Sequence, residues 1–304
     1  MKKKNKWKKV FQSWQLYVLL LPAVIWILVF AYYPMYGLLI AFKDFKIRKG
    51  ILMSPWVDPI WKHFAQFFTT SIAVTAIKNT IVISLLSLLI AFPIPIIFAL
   101  LLNQVRNKRM RKAIQTISYA PYFLSSVIII SLINLLFSTE GIVNGVITSM
   151  GGNVIHFTSM AKWFRPLYVG STVWQTMGFN AVIYIAALVG ISPDYYEAAT
   201  LDGASAFQKI KYIELPLIAP TIILMLILTI GNIMNVGYEK AYLMQNGTNT
   251  TVSELISTYV YKVGLQSAQY SFATAVGLFN SVVNFIILLL ANQVSKRVSD
   301  ISIF

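Results

Sequence analysis

The sequence predicts an all-α integral membrane protein with six transmembrane helices. Its 304 residues are 57% hydrophobic and 12% charged, with a mean hydropathy of +0.69, which is too apolar for an ordinary soluble domain. Six uncharged runs are long enough to cross a hydrocarbon core about 30 Å thick, which needs roughly 20 helical residues. Because lipid offers the backbone no hydrogen-bond partner, each run is expected to be helical.

The six runs follow one another without a linker that would divide the chain. The first comes after the basic segment MKKKNKWKK. It is about twice the length of a signal-peptide core and lacks a small-residue cleavage site, so we expect it to be retained as a helix. In chain order the predicted crossings are Leu16–Phe42, Asn79–Leu102, Ala113–Phe137, Leu167–Ile191, Leu217–Tyr238 and Val263–Val294.

The distribution of Lys and Arg predicts the orientation of these helices. Most of them flank the inner ends of the runs if the N-terminus is cytoplasmic, as the positive-inside rule requires. Both chain termini and the segment between the fourth and fifth runs are then cytoplasmic. The exception is the basic segment Lys43–Lys49, which falls outside. It either attracts acidic saccharides or contacts lipid and a docking protein.

A polar insert, Tyr195–Pro216, separates the fourth and fifth runs. Ser192 before it is a good N-cap, and proline followed by aspartate suits the first turn of a helix. Gly203 supplies backbone freedom for a turn. A second helical piece is expected from Ala204 towards Ile213, before the proline that opens the fifth crossing. The insert is therefore predicted to form a compact helix–turn–helix.

The insert also carries the spacing Glu-Ala-Ala-x3-Gly-x9-Ile-x-Leu-Pro, from Glu197 to Pro216. In this it resembles the permease subunits of binding-protein-dependent ABC importers, whose cytoplasmic EAA loop has this form. NTIVISLLSLLIAFPIPIIFALLLN from Asn79, YAPYFLSSV and the first run resemble the maltose-permease-like carbohydrate branch, above all permeases for complex oligosaccharides. The resemblance implies a type I importer transmembrane domain.

Several roles are implied by the resemblance for residues of the loop. Glu197 would offer a carboxylate to a basic group of an ATPase, Ala198 and Ala199 would pack in its groove, and Gly203 would allow the sharp turn. Asp202 is our own addition, as an acceptor that stabilises the turn. The alternative is a solvated amphipathic connector.

The resemblance also implies an organisation and a set of partners. Residues 1–71 would hold the basic segment, first helix and outer loop, and residues 72–293 the importer core with the coupling loop at 192–216, followed by a cytoplasmic tail, 294–304. The partners would be a second permease forming a heterodimer, two cytoplasmic ABC ATPases, and an external solute-binding protein, lipid-anchored if the cell has no outer membrane. The implied location is the bacterial plasma membrane, and the cargo an oligosaccharide.

Several function classes are disfavoured by the sequence. No G-x-x-x-x-G-K-[ST], H-E-x-x-H or G-x-S-x-G occurs, so no enzyme is expected and ATP and Mg²⁺ would be held by partner subunits. The basic residues form short clusters instead of one face, which argues against nucleic acid. A secondary transporter is disfavoured by the scarcity of ionisable residues in the runs and the lack of repeats. A permease for a non-sugar solute stays open, because such permeases share the loop.

A path for an uncharged polar solute needs hydrogen-bonding groups on helix surfaces. Asn232 and Asn235 are predicted to share a face of the fifth helix, with Tyr238 a turn further on, and two asparagines stack at i, i+4 on the sixth. On the fourth helix an asparagine and a tyrosine align, and Trp174 points elsewhere. For each asparagine the alternative is a role in helix packing. The candidates are Trp174, Asn180, Tyr184, Asn232, Asn235, Tyr238, Asn280 and Asn284.

Overall fold

The computed structural model describes residues 14–299. The regular secondary structure of this range is helical, and it contains no β-strand. Twelve helices organise this part of the chain, and short turns of helix at 47–53, 250–253 and 262–266 connect them. They are α1 Trp14–Phe42, α2 Lys62–Thr69, α3 Ser71–Asn103, α4 Lys108–Phe123, α5 Ser126–Leu136, α6 Ile142–Ser149, α7 Ala161–Val189, α8 Pro193–Leu201, α9 Ala206–Gly231, α10 Tyr238–Met244, α11 Ile256–Tyr261 and α12 Tyr270–Ser299.

Five of these helices, α1, α3, α7, α9 and α12, are long and apolar enough to cross a membrane. The α4 and α5 pair would be the sixth span, but the two helices meet at 102°. The prediction of a single helix over Ala113–Phe137 is therefore wrong, because the run is divided between two helices. Pro121 lies in a tight 3-10 turn at the end of α4, and Ser125 caps α5 by accepting from the Ile128 amide at 3.4 Å. These two local signals break the helix.

The centre of the fold is the packing of α7 against α3 and α9. Ala99 of α3, Ala181 of α7 and Ile218 of α9 are fully buried in one cluster. Close approach also joins α7 to α4, because a Cβ at Gly178 would lie 2.2 Å from the Ser118 carbonyl oxygen. Small residues let backbones approach where lipid provides no hydrophobic driving force between helices.

The first helix contributes little to this core. None of the residues in its most apolar stretch is buried. Only its last turns, Tyr36–Phe42, pack on α12. The outer loop after it is organised by Lys43, whose ammonium group donates to the carbonyls of Ile51 and Leu52 at 2.9 and 3.0 Å. Lys43 is buried and lies over the Trp56 ring. This member of the basic segment holds the loop together, while its exposed neighbours, such as Arg48, face outwards.

The last two crossings differ from their predicted limits. The predicted fifth crossing ends at Gly231, seven residues before Tyr238, where Asn232 leaves the helical conformation. Gly231 lies close to α12, because a Cβ there would be 2.6 Å from Leu288. The predicted sixth crossing, α12, begins at Tyr270 instead of Val263. The segment between them folds into short helices that cover α3 and α7.

Candidate coupling loop and translocation cavity

The EAA loop, Ser192–Pro216, begins as the sequence predicts. The Ser192 hydroxyl accepts from the Asp194 amide at 3.4 Å, and Pro193 occupies the first turn of α8. The helix stops at Asp202, and Gly203 follows with φ of +73°. A side chain at Gly203 would meet no neighbour within 4 Å, so the backbone conformation, and not space, makes glycine the suitable residue here.

The second half of the loop is more continuous than predicted. Ser205 and Gln208 form a reciprocal capping box at the start of α9, which then runs through Pro216 into the membrane span. A π-helical turn at Ile210–Glu214 precedes that proline, with the Leu215 amide donating to the Ile210 carbonyl. The wider turn shifts the hydrogen-bond register where Pro216 lacks an N–H. The prediction of a separate piece ending near Ile213 is therefore wrong.

The loop exposes large apolar side chains, although it does not belong to the apolar part of any membrane span. Leu201 is 90% exposed and Phe207 is 71% exposed, and Glu197 and Ala198 are exposed beside them. Ala199 differs, because it is buried within the loop itself and its carbonyl accepts from the Ala204 amide at 2.8 Å. Of the two alanines in the motif, only Ala198 exposes its methyl group.

Near its end, just before Pro216, the loop contains a buried carboxylate that the sequence reading did not single out. Glu214 is fully buried, and its Oε1 accepts from Asn103 at 2.7 Å, Gln104 at 2.9 Å and the Tyr196 hydroxyl at 3.3 Å. Burial, together with the nearby Glu214 carboxylate, raises the pKa of Tyr196 to about 12. This cluster links α8 to the end of α3 and the start of α9.

A polar cavity of about 310 Å³ lies between α3, α7 and the chain that follows α9. Its outer wall is the non-helical segment 232–237. The Ile233 carbonyl of that segment accepts from the Ser84 hydroxyl, and the Met234 amide donates to Asn284 Oδ1 at 3.0 Å. Unwound backbone at membrane depth is tolerated only where protein or a cavity satisfies it. The polar lining includes Ser84, Ser87, Tyr168, Thr172, Thr176, Asn180, Thr229, Asn232 and Asn235.

Three predicted pathway residues, Asn180, Asn232 and Asn235, line this cavity. The latter two do not share a helical face as predicted, because the helix ends before them. They still meet, with Asn235 Nδ2 donating to Asn232 Oδ1 at 3.4 Å. Asn280 of α12 joins them from the side by donating to Asn235 Oδ1 at 3.0 Å.

The other four candidates lie outside the cavity lining. Tyr184 is buried in the core between α3, α7 and α9, and Trp174 faces an apolar groove formed with α5. Asn284 is buried and holds the Met234 amide, which is the packing role that the sequence left open. Tyr238 stacks on Tyr261 with ring centroids 5.1 Å apart.

Sequence reasoning missed the hydroxyl groups of the cavity and a buried lysine behind it. Thr172 and Thr176 precede Asn180 at four-residue spacing on α7, a periodic signal that could have been read. Lys240 gave no such signal, because it lies beyond the last residue of the predicted fifth crossing. Its Nζ donates to Thr172 Oγ1 at 3.0 Å, and burial lowers the pKa of Lys240, outside the long spans, to about 8.

The fold and the two sites define a class of protein: a multi-span membrane permease with a polar internal cavity and a protruding loop. The sequence profile of the family described as "Binding-protein-dependent transport system inner membrane component" matches residues 91–300. The chain belongs to this family. It is a permease of a sugar ABC importer, a multi-pass protein of the bacterial plasma membrane that works with an external solute-binding protein.

Similar proteins cover the whole chain. The polygalacturonan/rhamnogalacturonan transport system permease protein YteP of Bacillus subtilis (strain 168) is 41% identical over 304 residues, 100% of this chain and 94% of that protein. Protein LplB of the same organism is 41% identical, over 99% of this chain and 92% of its own length. A crystal structure of a bacterial alginate ABC transporter in complex with an alginate pentasaccharide-bound periplasmic protein contains a chain that is 41% identical. Its TM-score is 0.89, covering 98% of this chain and 99% of that one.

Proposed function

We propose that the EAA loop couples this permease to a cytoplasmic ABC ATPase. The observation that carries the proposal is the exposure of Leu201 and Phe207 on either side of the Gly203 turn. Large apolar side chains grouped on an otherwise polar surface mark sites of protein interaction, and a short helix suits a groove in a partner. Glu197, exposed on the same loop, adds a carboxylate for a basic group of the ATPase.

The assembly that fits this loop has two permeases, forming a heterodimer, and two ATPases that bind ATP and Mg²⁺. The chain itself has no phosphate-binding G-x-x-x-x-G-K-[ST] sequence. Closure of the ATPases would pull on α8, and the Glu214 cluster would pass that movement to α3 and α9. Both termini of the chain would then be cytoplasmic, in line with the positive-inside rule.

The proposed substrate is an oligosaccharide that contains uronic acids and is delivered by an external binding protein. Two similar proteins support this choice, since one is named for polygalacturonan and rhamnogalacturonan, and the other belongs to a transporter that imports the acidic polysaccharide alginate. The hydroxyl and amide groups of the cavity suit the many hydroxyl groups of a sugar. Substrate would pass through this cavity and its counterpart in the second permease.

The coupling proposal is tested by placing a charge on the exposed apolar surface. Leu201→Glu and Phe207→Glu leave the fold intact, because both side chains are exposed. We expect them to abolish both co-purification of the ATPases with the tagged permease and ATP-dependent uptake. Met53→Glu, at an exposed apolar position in the outer loop, is the matched control and should retain the ATPases. Normal uptake by both loop variants would contradict the proposal.

A further inference from the structure

Lys240 is a buried cation without a counter-ion. The residue is 8% exposed, and its Nζ donates to Thr172 Oγ1 at 3.0 Å and lies 5.4 Å from the centre of the Tyr168 ring. No carboxylate lies within 4.0 Å of it among residues 14–299. Burial is the cause of its lowered pKa, with no neighbouring charge contributing.

Two other lysines show what a structural lysine looks like in this protein. Lys262 pairs with Glu254 at 2.6 Å, and Lys43 donates to two backbone carbonyls. Burying an ammonium group costs stability unless a charge or several acceptors compensate. Lys240 has three N–H donors and makes one hydrogen bond, to a neutral hydroxyl, within the described chain, so its burial is less compensated than that of Lys43 and Lys262.

The cation lies directly behind the cavity wall. Thr172 and Tyr168, which contact Lys240, also line the cavity, as do Val236 and Gly237 shortly before it in the chain. We propose that Lys240 is a specificity-determining residue that binds the carboxylate group of an acidic saccharide in this cavity. The inference rests on the proposed function, because it assigns the charged subsite of the same pathway.

The geometry suits passage as well as recognition. Asn180, Thr176 and Asn235 offer hydrogen bonds to sugar hydroxyl groups along the same cavity, and the Lys240 ammonium adds one fixed charge directly behind the wall that Thr172 and Tyr168 form. Lysine contacts a carboxylate as a point charge, without the two-pronged geometry of arginine. A single contact of this kind attracts an anionic group and still releases it, as a transport pathway requires.

The test uses the complete importer, purified through a tag on this permease and reconstituted in vesicles with its binding protein. The probes are trigalacturonate and its neutral methyl ester. We expect Lys240→Met to lower the maximal rate of trigalacturonate uptake by roughly 10- to 100-fold, the factor that a charged hydrogen bond contributes. The KM, which the binding protein sets, should stay unchanged. Lys240→Arg keeps the charge and should transport within about threefold of wild type.

Melting temperature and assembly separate this role from a structural one. Lys240→Met keeps the side-chain volume and removes an unpaired charge, so its melting temperature should not fall. Lys262→Met, the matched control, breaks an ion pair and should lower the melting temperature while keeping the preference for trigalacturonate. Lys240→Gln, which retains a donor for Thr172, provides a second neutral variant and should reproduce the loss of rate.

Three results would overturn the inference. One is a wild-type rate of trigalacturonate uptake in Lys240→Met or Lys240→Gln. The second is a wild-type importer that transports the methyl ester as well as the acid. The third is loss of assembly in both neutral variants, which would assign Lys240 to structure. Failure of the proposed function looks different, because the wild-type complex would then show no ATP-dependent uptake of either probe.

Discussion

The EAA loop and the polar cavity place polar and apolar side chains in opposite ways. The loop exposes Leu201 and Phe207 and buries the carboxylate of Glu214 beneath them, whereas the cavity places amides and hydroxyl groups inside a lipid-embedded fold and keeps Lys240 behind its wall. The exposed apolar pair is what the proposed partner would meet, whereas Glu214 and Lys240 lie buried behind the two surfaces. The loop is built from one contiguous segment, and the cavity from several helices.

The largest expected effect comes from the turn of the loop. Gly203→Val places a β-branched residue at φ of +73°, a conformation that costs about 1–3 kcal/mol for residues other than glycine. We expect uptake in cells to fall to background while the permease still inserts in the membrane. Gly203→Asn is the control, since asparagine tolerates this region, and it should keep most of the activity. Normal transport by Gly203→Val would show that the turn has no part in coupling.

The second-largest effect, on both stability and uptake, is expected at Glu214, near the end of the loop. Glu214→Leu leaves Asn103, Gln104 and Tyr196 without their shared acceptor, and each buried donor that loses its partner costs about 1–3 kcal/mol. The melting temperature of the purified importer and its ATP-driven uptake should both fall. Glu214→Gln retains an acceptor oxygen, so its melting temperature and its uptake rate should lie between those of the wild type and those of Glu214→Leu. Equal melting temperatures for all three proteins would mean that the cluster does not anchor α8.

Two asparagines distinguish a role in the cavity from a role in helix packing. Asn180 lines the cavity, whereas Asn284 is buried and accepts from the Met234 amide. Asn180→Leu should lower the maximal uptake rate by roughly 5- to 20-fold, about one to two hydrogen bonds, and leave the melting temperature unchanged. Asn284→Leu should lower the melting temperature. A reversed pattern would place the pathway elsewhere.

The smallest effect concerns pH. The pKa of Lys240 is about 8, so the ammonium group is charged at neutral pH and loses its charge as the pH rises through 8, while a uronate stays ionised. Tyr168 faces Lys240 from α7, and Glu239 on its own helix is engaged with Ser126. Trigalacturonate uptake should therefore decline several-fold between about pH 7 and 9. Lys240→Arg should flatten this decline, and an equal slope in both would argue against a role for the charge.

The two regions also differ in how far the sequence could predict them. The loop was predictable because its cap, turn and motif lie within one segment, although Pro216 suggested a helix start where a π-helical turn carries the helix through. The cavity was only partly predictable. Asn232 and Asn235 lie together, but not on a helical face, since the helix ends at Gly231. The position of Lys240 against α7 depends on tertiary packing, so the sequence could not predict it.

Cross-linking tests the central claim most directly, because the sequence contains no cysteine and each introduced thiol is therefore unique. Ala198→Cys, exposed on the EAA loop, is compared with Met53→Cys, exposed on the outer loop, in intact cells treated with a short bifunctional reagent. We predict that Ala198→Cys traps an ABC ATPase and that Met53→Cys does not. Failure of Ala198→Cys to trap any ATPase in a strain that still imports the saccharide would contradict the account.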